Sequence, residues 1–232
     1  MPRLHLLLTA CLIGLFGCQT HNANYNSRLA HHSPSGFSNN YPGREPDMHD
    51  FFRWQWNRLL KPKPEHRADL VSWQAVNLNQ IHSTQGRSAT WLGHASVLIK
   101  SDGIHVLTDP IFSERASPVS WLGPKRIKPL PVDPANLPRI DAVVISHNHY
   151  DHLDLPSLKR LNSQAGGPPL FVVPLGNAEL LKRQGISNVK ALDWWQRIPV
   201  KDGLSVTLVP TQHWSKRNLL GDRNEALWGG YV

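Results

Sequence analysis

A layered α/β fold is predicted for this 232-residue chain, and three observations predict it. Short β-branched runs alternate with helix-like segments through the second half of the sequence. One run, Ala142-Val143-Val144-Ile145, is continuously apolar, the pattern of a buried strand. That strand delivers His147-Asn148-His149-Tyr150-Asp151-His152 to a loop, where chemistry is usually carried.

From the start of the chain, Met1 to Gly17 reads as an export signal: Arg3, then an apolar run from Leu4 to Phe16. The run is short of the roughly 20 residues that spanning a bilayer takes. Leu15-Phe16-Gly17-Cys18 resembles the lipobox of bacterial lipoproteins, in which cleavage exposes a cysteine for lipidation. A lipoprotein anchored at Cys18, a plain cleaved signal and an uncleaved anchor are the three readings. Gln19 favours, through that resemblance, an outer-membrane lipoprotein of the bacterial cell envelope, facing the periplasm. Residues 18–46 are expected to be a flexible tether, being rich in Asn, Ser and His with little apolar content. His21, His31 and His32 either bind metal weakly or are solvated linker residues, the second being the better reading.

Residues 47–88 form a helical and irregular region. Asp47 or Asp50 caps a helix carrying Phe51, Phe52, Trp54, Leu59 and Leu60, which stops before Pro62. It either packs on the domain or lies on a membrane surface through its aromatic and basic side chains.

Residues 89–232 carry the domain. Ala89 to Lys100 and Ile104 to Thr108 read as two strands joined by Ser101-Asp102-Gly103. A loop rich in proline, glycine and basic residues runs from Asp109 to Pro138. The strand Ala142 to Ser146 follows, then a helix capped by Asp154 with Pro156 near its start. A strand (170–173), a helix (177–184) and two strands (189–192 and 204–210) complete the pattern.

Composition narrows the function. Lys and Arg number 25 against 17 Asp and Glu, a formal charge of +8, but the basic residues scatter and form no concentrated stripe. A nucleic-acid partner is therefore not expected; a phospholipid substrate and a membrane surface are. The two cysteines, Cys11 and Cys18, both lie in the first apolar stretch, so a disulfide framework or thiolate zinc site in the domain is excluded.

The chemistry rests on the His-rich loop. Period-2 spacing puts His147 and His149 on one side of an extended segment, while Asp151 and His152 turn to a neighbouring point. One loop thus offers ligands to two adjacent metal ions, in the nitrogen and oxygen set of a zinc-type hydrolytic centre. His213 sits at the end of a strand between Gln212 and Trp214, as a further ligand candidate. Asp109 either orients a ligand imidazole or makes a turn before Pro110. His94 is either a core histidine or a residue near the metals. Lys125 and Arg126 either contact a headgroup phosphate or are loop charges.

The loop resembles the HxHxDH signature of the metallo-β-lactamase superfamily. Trp91-Leu92-Gly93-His94-Ala95, Thr108-Asp109-Pro110-Ile111-Phe112, Gly123-Pro124-Lys125-Arg126, Asp193-Trp194-Trp195 and Gln212-His213-Trp214 resemble one branch in particular. It is the N-acylphosphatidylethanolamine-hydrolysing phospholipase D family with its bacterial outer-membrane RomA-type relatives. The resemblance implies an α/β (α+β) fold, the first half and a little more of a four-layer αββα sandwich, with one apolar sheet face left uncovered. It assigns His147, His149 and His213 to one zinc and Asp151 and His152, the catalytic pair, to a second. A complete site holds two zinc ions; one or none is the expectation here, because the bridging Asp of a Gly-Asp-(Thr/Ser)-Gly segment and a late His have no counterpart. The implied activity is a phosphodiesterase of phospholipase D type, with this chain a truncated form of low activity. The rivals are an inactive zinc-binding lipoprotein and a nuclease or other hydrolase of the same superfamily.

Overall fold

A computed structural model describes residues 21–43, 48–61, 68–201, 203–218 and 221–232. The export signal, Cys18, Asp47 and Pro62 lie outside the described residues.

The centre is a six-stranded sheet in the order β3-β4-β5-β6-β7-β8. It comprises β3 (Ser88–Gly93), β4 (Ser96–Ser101), β5 (Ile104–Thr108), β6 (Ala142–Val144), β7 (Leu170–Pro174) and β8 (Val189–Leu192). The first three strands pair antiparallel, and β5 to β8 pair parallel. Helix α3 (Leu155–Asn162) makes the crossover from β6 to β7, and α4 (Ala178–Lys182) that from β7 to β8.

Strand alternation sorts the core into two layers. Val143, Ile145, Phe171 and Val173 face Leu158 and Leu161 of α3, Leu181 of α4 and Ile81 of α2 (Leu78–Ser83). Ala142, Val144 and Val172 face the other way, onto a second sheet of β9 (Arg197–Lys201), β10 (Leu204–Val209) and β11 (Gly230–Tyr231). Val206, Leu208, Leu227 and Trp228 fill that interface. Each such side chain contributes about 1.5–3 kcal/mol by leaving water. Helices, sheet and sheet thus give three layers of the expected sandwich. The inner face of the large sheet is mostly covered by the second sheet. An apolar opening of about 360 Å³ persists between Ile99, Val106, Val144, Leu204, Tyr231 and Val232.

Two expectations are corrected. The run from Ala89 to Lys100 is not one strand but β3 and β4, folded back at Gly93-His94-Ala95. Gly93 (φ 106°) and His94 (φ 49°) both take left-handed backbone, which glycine permits and which turns the chain within an apolar run. Residues 21–43, expected as a tether, are a docked hairpin of β1 (His32–Ser33) and β2 (Gly36–Phe37). The Asn22 amide closes the hairpin on itself by donating to the Ser33 and Gly36 carbonyls, and Phe37 N–H docks it by donating to the Asn224 carbonyl. Phe37 enters the inter-sheet core at 3% exposure. A Cβ at Gly36 would stand 2.2 Å from the Asn224 carbonyl oxygen, so only glycine fits there. His31 and His32, read as solvated, are buried.

Helix α1 (Met48–Leu60) forms as predicted, with an Asp50–Arg53 ion pair in its first turns. Phe52, Trp54, Trp56, Leu59 and Leu60 on it are exposed. Asp154 occupies the cap position of α3, but its carboxylate accepts from Ser113 and Ser157 instead of from the helix backbone.

Candidate metal centre

β6 ends against the inter-sheet core, and the motif begins at once. Asp109, one residue past β5 and at φ 35°, is the anchor. Its carboxylate accepts Ser146 N–H (2.7 Å), Ser146 Oγ–H (2.6 Å) and His152 Nδ1–H (2.9 Å). Ser146 Oγ in turn accepts from His147 Nδ1 at 2.8 Å. This network fixes the protons of His147 and His152 on Nδ1 and leaves each Nε2 as a lone pair. Asp109 thus orients imidazoles, as one of its two readings held, and a hydroxyl relay through Ser146 extends it.

Two ligand groups result, and they are the pairing expected from the motif. His147, His149 and His213 converge, with His147 Nε2 2.8 Å from His149 Nδ1 and 3.1 Å from His213 Nε2. Beside them stand Asp151, His152 and His94: Asp151 Oδ2 lies 3.0 Å from His94 Nε2 and 3.6 Å from His152 Nε2. The His147 and His152 rings are 4.1 Å apart, so the groups adjoin. His94 is no core histidine; it is an exposed turn residue whose ring joins the second group.

The donor set fits metal ions. Three imidazole nitrogens converge on one point, and His149 Nε2 is buried with no hydrogen-bond partner. Burial holds His147 down to about 2, helped by the neighbouring His152, His149, His213 and His94. Burial and His213 hold His149 down to about 4. His213 is lowered too, again chiefly by burial. All three are therefore neutral near pH 7, the state a metal ligand needs. Burial also opposes charge on His152, but the bond to Asp109 and the charges of Asp109 and Asp151 outweigh it and raise its pKa.

The residues between the histidines hold the loop that bears His213. Asn148 Oδ1 accepts from Lys216 N–H (3.0 Å), and Arg217 stacks over the Tyr150 ring at 4.2 Å while donating to the Asn148 and Leu153 carbonyls. From the N-terminal hairpin, Asn39 bonds both main-chain groups of His213. None of these supports was foreseen, and Asn39 carries no local signal, since its partner lies 174 residues away.

His149 of the first group and His94 and Asp151 of the second line a cleft of about 1270 Å³. Tyr150 lines it beside them, and Trp73, Val76, Ile81, Trp91, Ile111 and Ile127 give it apolar wall. Lys125 and Arg126 are on the wall. Lys125 Nζ is paired with Glu114 at 2.9 Å, and Arg126 Nη2 donates to the Ile111 carbonyl at 2.6 Å.

A fold with two such groups at the end of a β-strand defines a metallo-hydrolase-like architecture. Residues 105–232 match the family described as "Beta-lactamase superfamily domain", and the chain belongs to that superfamily. It is 40% identical over 166 residues to N-acyl-phosphatidylethanolamine-hydrolyzing phospholipase D 1 of Caenorhabditis elegans, covering 68% of this chain and 46% of that protein. It is 38% identical over 146 residues to the mitochondrial N-acyl-phosphatidylethanolamine-hydrolyzing phospholipase D of Saccharomyces cerevisiae, covering 62% of this chain and 30% of that one. It is 33% identical over 128 residues to a metal-dependent hydrolase of Methanopyrus kandleri, covering 55% and 47%. The chain spans less than half the length of each of these relatives. The superfamily read from the motifs is thereby confirmed.

Proposed function

We propose that the chain carries the metal-holding part of a zinc-dependent phosphodiesterase of phospholipase D type, acting on N-acylphosphatidylethanolamine-like lipids. One observation carries this reading: His149 of one group and His94 and Asp151 of the other line a cleft whose remaining wall is largely apolar. A phosphate at the ligands would leave its acyl chains along Trp73, Trp91 and Ile127. The similarity to the nematode and yeast proteins, so named, supports the same substrate class.

Zinc ions bound there would supply Lewis acidity and a water of lowered pKa. His147, His149 and His213 would hold one ion; Asp151 and His152, with His94 beside them, would hold the other. Asp109 keeps His152 aimed, and Ser146 keeps His147 aimed. Water adds to phosphorus, the bond from phosphorus to the ethanolamine oxygen breaks, and the leaving oxygen takes a proton. Phosphatidic acid and an N-acylethanolamine result. Lys125 is the wall cation we assign to the headgroup phosphate, exchanging Glu114 for it. Arg126 spends its guanidinium on the Ile111 and Ser113 carbonyls and braces the wall.

Exposed Phe52, Trp54, Trp56 and Leu59 on α1, with Trp121 and Leu122 on the long loop, suit a membrane surface. Among the described residues no helix is long and apolar enough to cross a membrane. Lipidation at Cys18 and a place on the bacterial outer membrane belong to the same proposal.

The test is mass spectrometry of vesicles containing N-acylphosphatidylethanolamine after incubation with zinc-loaded protein at high concentration. Release of N-acylethanolamine, lost in His149→Ala, is expected. Release no faster than from His149→Ala, or cleavage of nucleic acid in its place, would refute the reading.

A further inference from the structure

We propose that His31, His32 and Asp193 form a separate zinc-type cation site that fastens the N-terminal hairpin to the domain. None of the three belongs to the groups described above, and the inference does not depend on the phosphodiesterase reading.

The three are buried, at 9%, 8% and 5% exposure. His31 Nε2 is 2.7 Å from Asp193 Oδ1, and His32 Nε2 is 2.9 Å from Asp193 Oδ2. Their donor atoms all lie within 4.8 Å of one another. Two imidazoles and one carboxylate are a zinc donor set, and ligand atoms about 2.0–2.2 Å from the ion stand roughly 3.3 Å apart in a tetrahedron. The pocket needs to widen by only about half an ångström to take the ion.

The contacts of His32 allow a cation in the cluster. His32 Nδ1 is 3.0 Å from the Asn24 carbonyl, closer than the 3.3 Å approach of Asn26 N–H to the same atom. The first contact needs the ring proton on Nδ1; the second needs Nδ1 free to accept the Asn26 N–H, with the proton on Nε2. In the first tautomer His32 Nε2 is a lone pair that faces Asp193 Oδ2 and takes a cation; in the second its N–H donates to that oxygen. A backbone carbonyl on the far ring nitrogen is also the partner that metal-bound imidazoles usually have. The site is held in shape: His31 stacks on Trp194 at 4.3 Å, His32 sits edge-on to Phe37, and Trp194 N–H donates to Asp193 Oδ1.

The site has a structural purpose. The hairpin buries one large apolar side chain, Phe37, and otherwise relies on polar bonds. A metal joining residues 31 and 32 to residue 193 ties that segment down as a cross-link would.

The rival occupant is a proton on His32 Nε2, and metal analysis separates the two. Zinc per chain is measured after equilibration with zinc and desalting, in the wild type, in His31→Gln/His32→Gln, in His147→Ala/His149→Ala, and in all four changes combined. Replacing His31 and His32 is expected to remove one zinc from the wild type and one from the His147→Ala/His149→Ala chain. Zinc content unchanged by His31→Gln/His32→Gln would overturn the proposal. If the double change unfolds the chain, His31→Gln alone decides on the same criterion, with circular dichroism confirming the fold. As a second readout, a chelator applied to the His147→Ala/His149→Ala chain should expose residues 21–43 to protease. Protection unaffected by the chelator would count equally against the site.

Discussion

Asn39 holds His213 by both ends of its peptide: the His213 N–H donates to Asn39 Oδ1 at 3.0 Å, and Asn39 Nδ2 donates to the His213 carbonyl at 2.8 Å. The same Oδ1 accepts Trp228 Nε1–H at 3.1 Å. A residue of the N-terminal hairpin therefore sets where a ligand of the domain stands. Asn39→Ala should weaken zinc binding by about 10–100-fold, the usual effect of losing an outer support. Asn39→Asp, which keeps the acceptor and loses the donor, should fall between. Competition against a chromogenic chelator measures both, and equal affinity in all three chains would show that the clamp has no effect on the metal.

Asp109 is the other support. Asp109→Asn keeps the shape but loses the charge that binds His152 and the best acceptor for Ser146. A zinc affinity lower by about 10–100-fold is expected, together with a lower His152 pKa by NMR titration. An unshifted His152 would contradict the role given to Asp109.

The acid limit follows from the buried imidazoles. His147 and His149 titrate near 2 and 4 in the folded chain, below the ordinary 6.5 that they recover on unfolding. Between those values the unfolded chain binds more protons, so stability rises with pH. Their contribution is complete above about pH 6.5 and fades as pH falls from there towards 4 and below. His152, raised, acts oppositely: its contribution is present below 6.5 and is lost as pH rises through its folded value. Urea midpoints of the metal-free chain from pH 7 to pH 4 should fall, and a flat profile would count against neutral, buried ligands.

The inter-sheet core should be as demanding as any domain core. Trp228 is fully buried, with its indole N–H bonded to Asn39 and to the Thr211 carbonyl. Trp228→Ala should cost about 3–5 kcal/mol of stability. Trp228→Phe should cost less but still loosen Asn39. Denaturant titration gives the first figure, and zinc affinity of Trp228→Phe reports the second.

What was legible in the sequence was local. His147 to His152 lie on one loop, so spacing alone separates the two ligand pairs, and β6 announces itself by an unbroken apolar run. The Gly93-His94 turn was hidden because the apolar residues on either side continue as if in one strand. The hairpin was hidden for a different reason. Its composition predicts disorder, yet its amides and imidazoles find partners such as Asp193 and His213, more than 160 residues distant. Asn39, Ser146 and Arg217 serve the site through contacts that no spacing rule encodes. His213 was found through family resemblance and its place after a strand.

The central claim is that His147, His149 and His213 are one metal site. Zinc affinity is measured most cleanly in the His31→Gln/His32→Gln chain, where the hairpin cluster cannot contribute. There, His149→Ala should lower the affinity of the tightest site by at least about 100-fold, since one of three ligands is lost. An affinity unchanged by His149→Ala, with the fold intact, would contradict the claim.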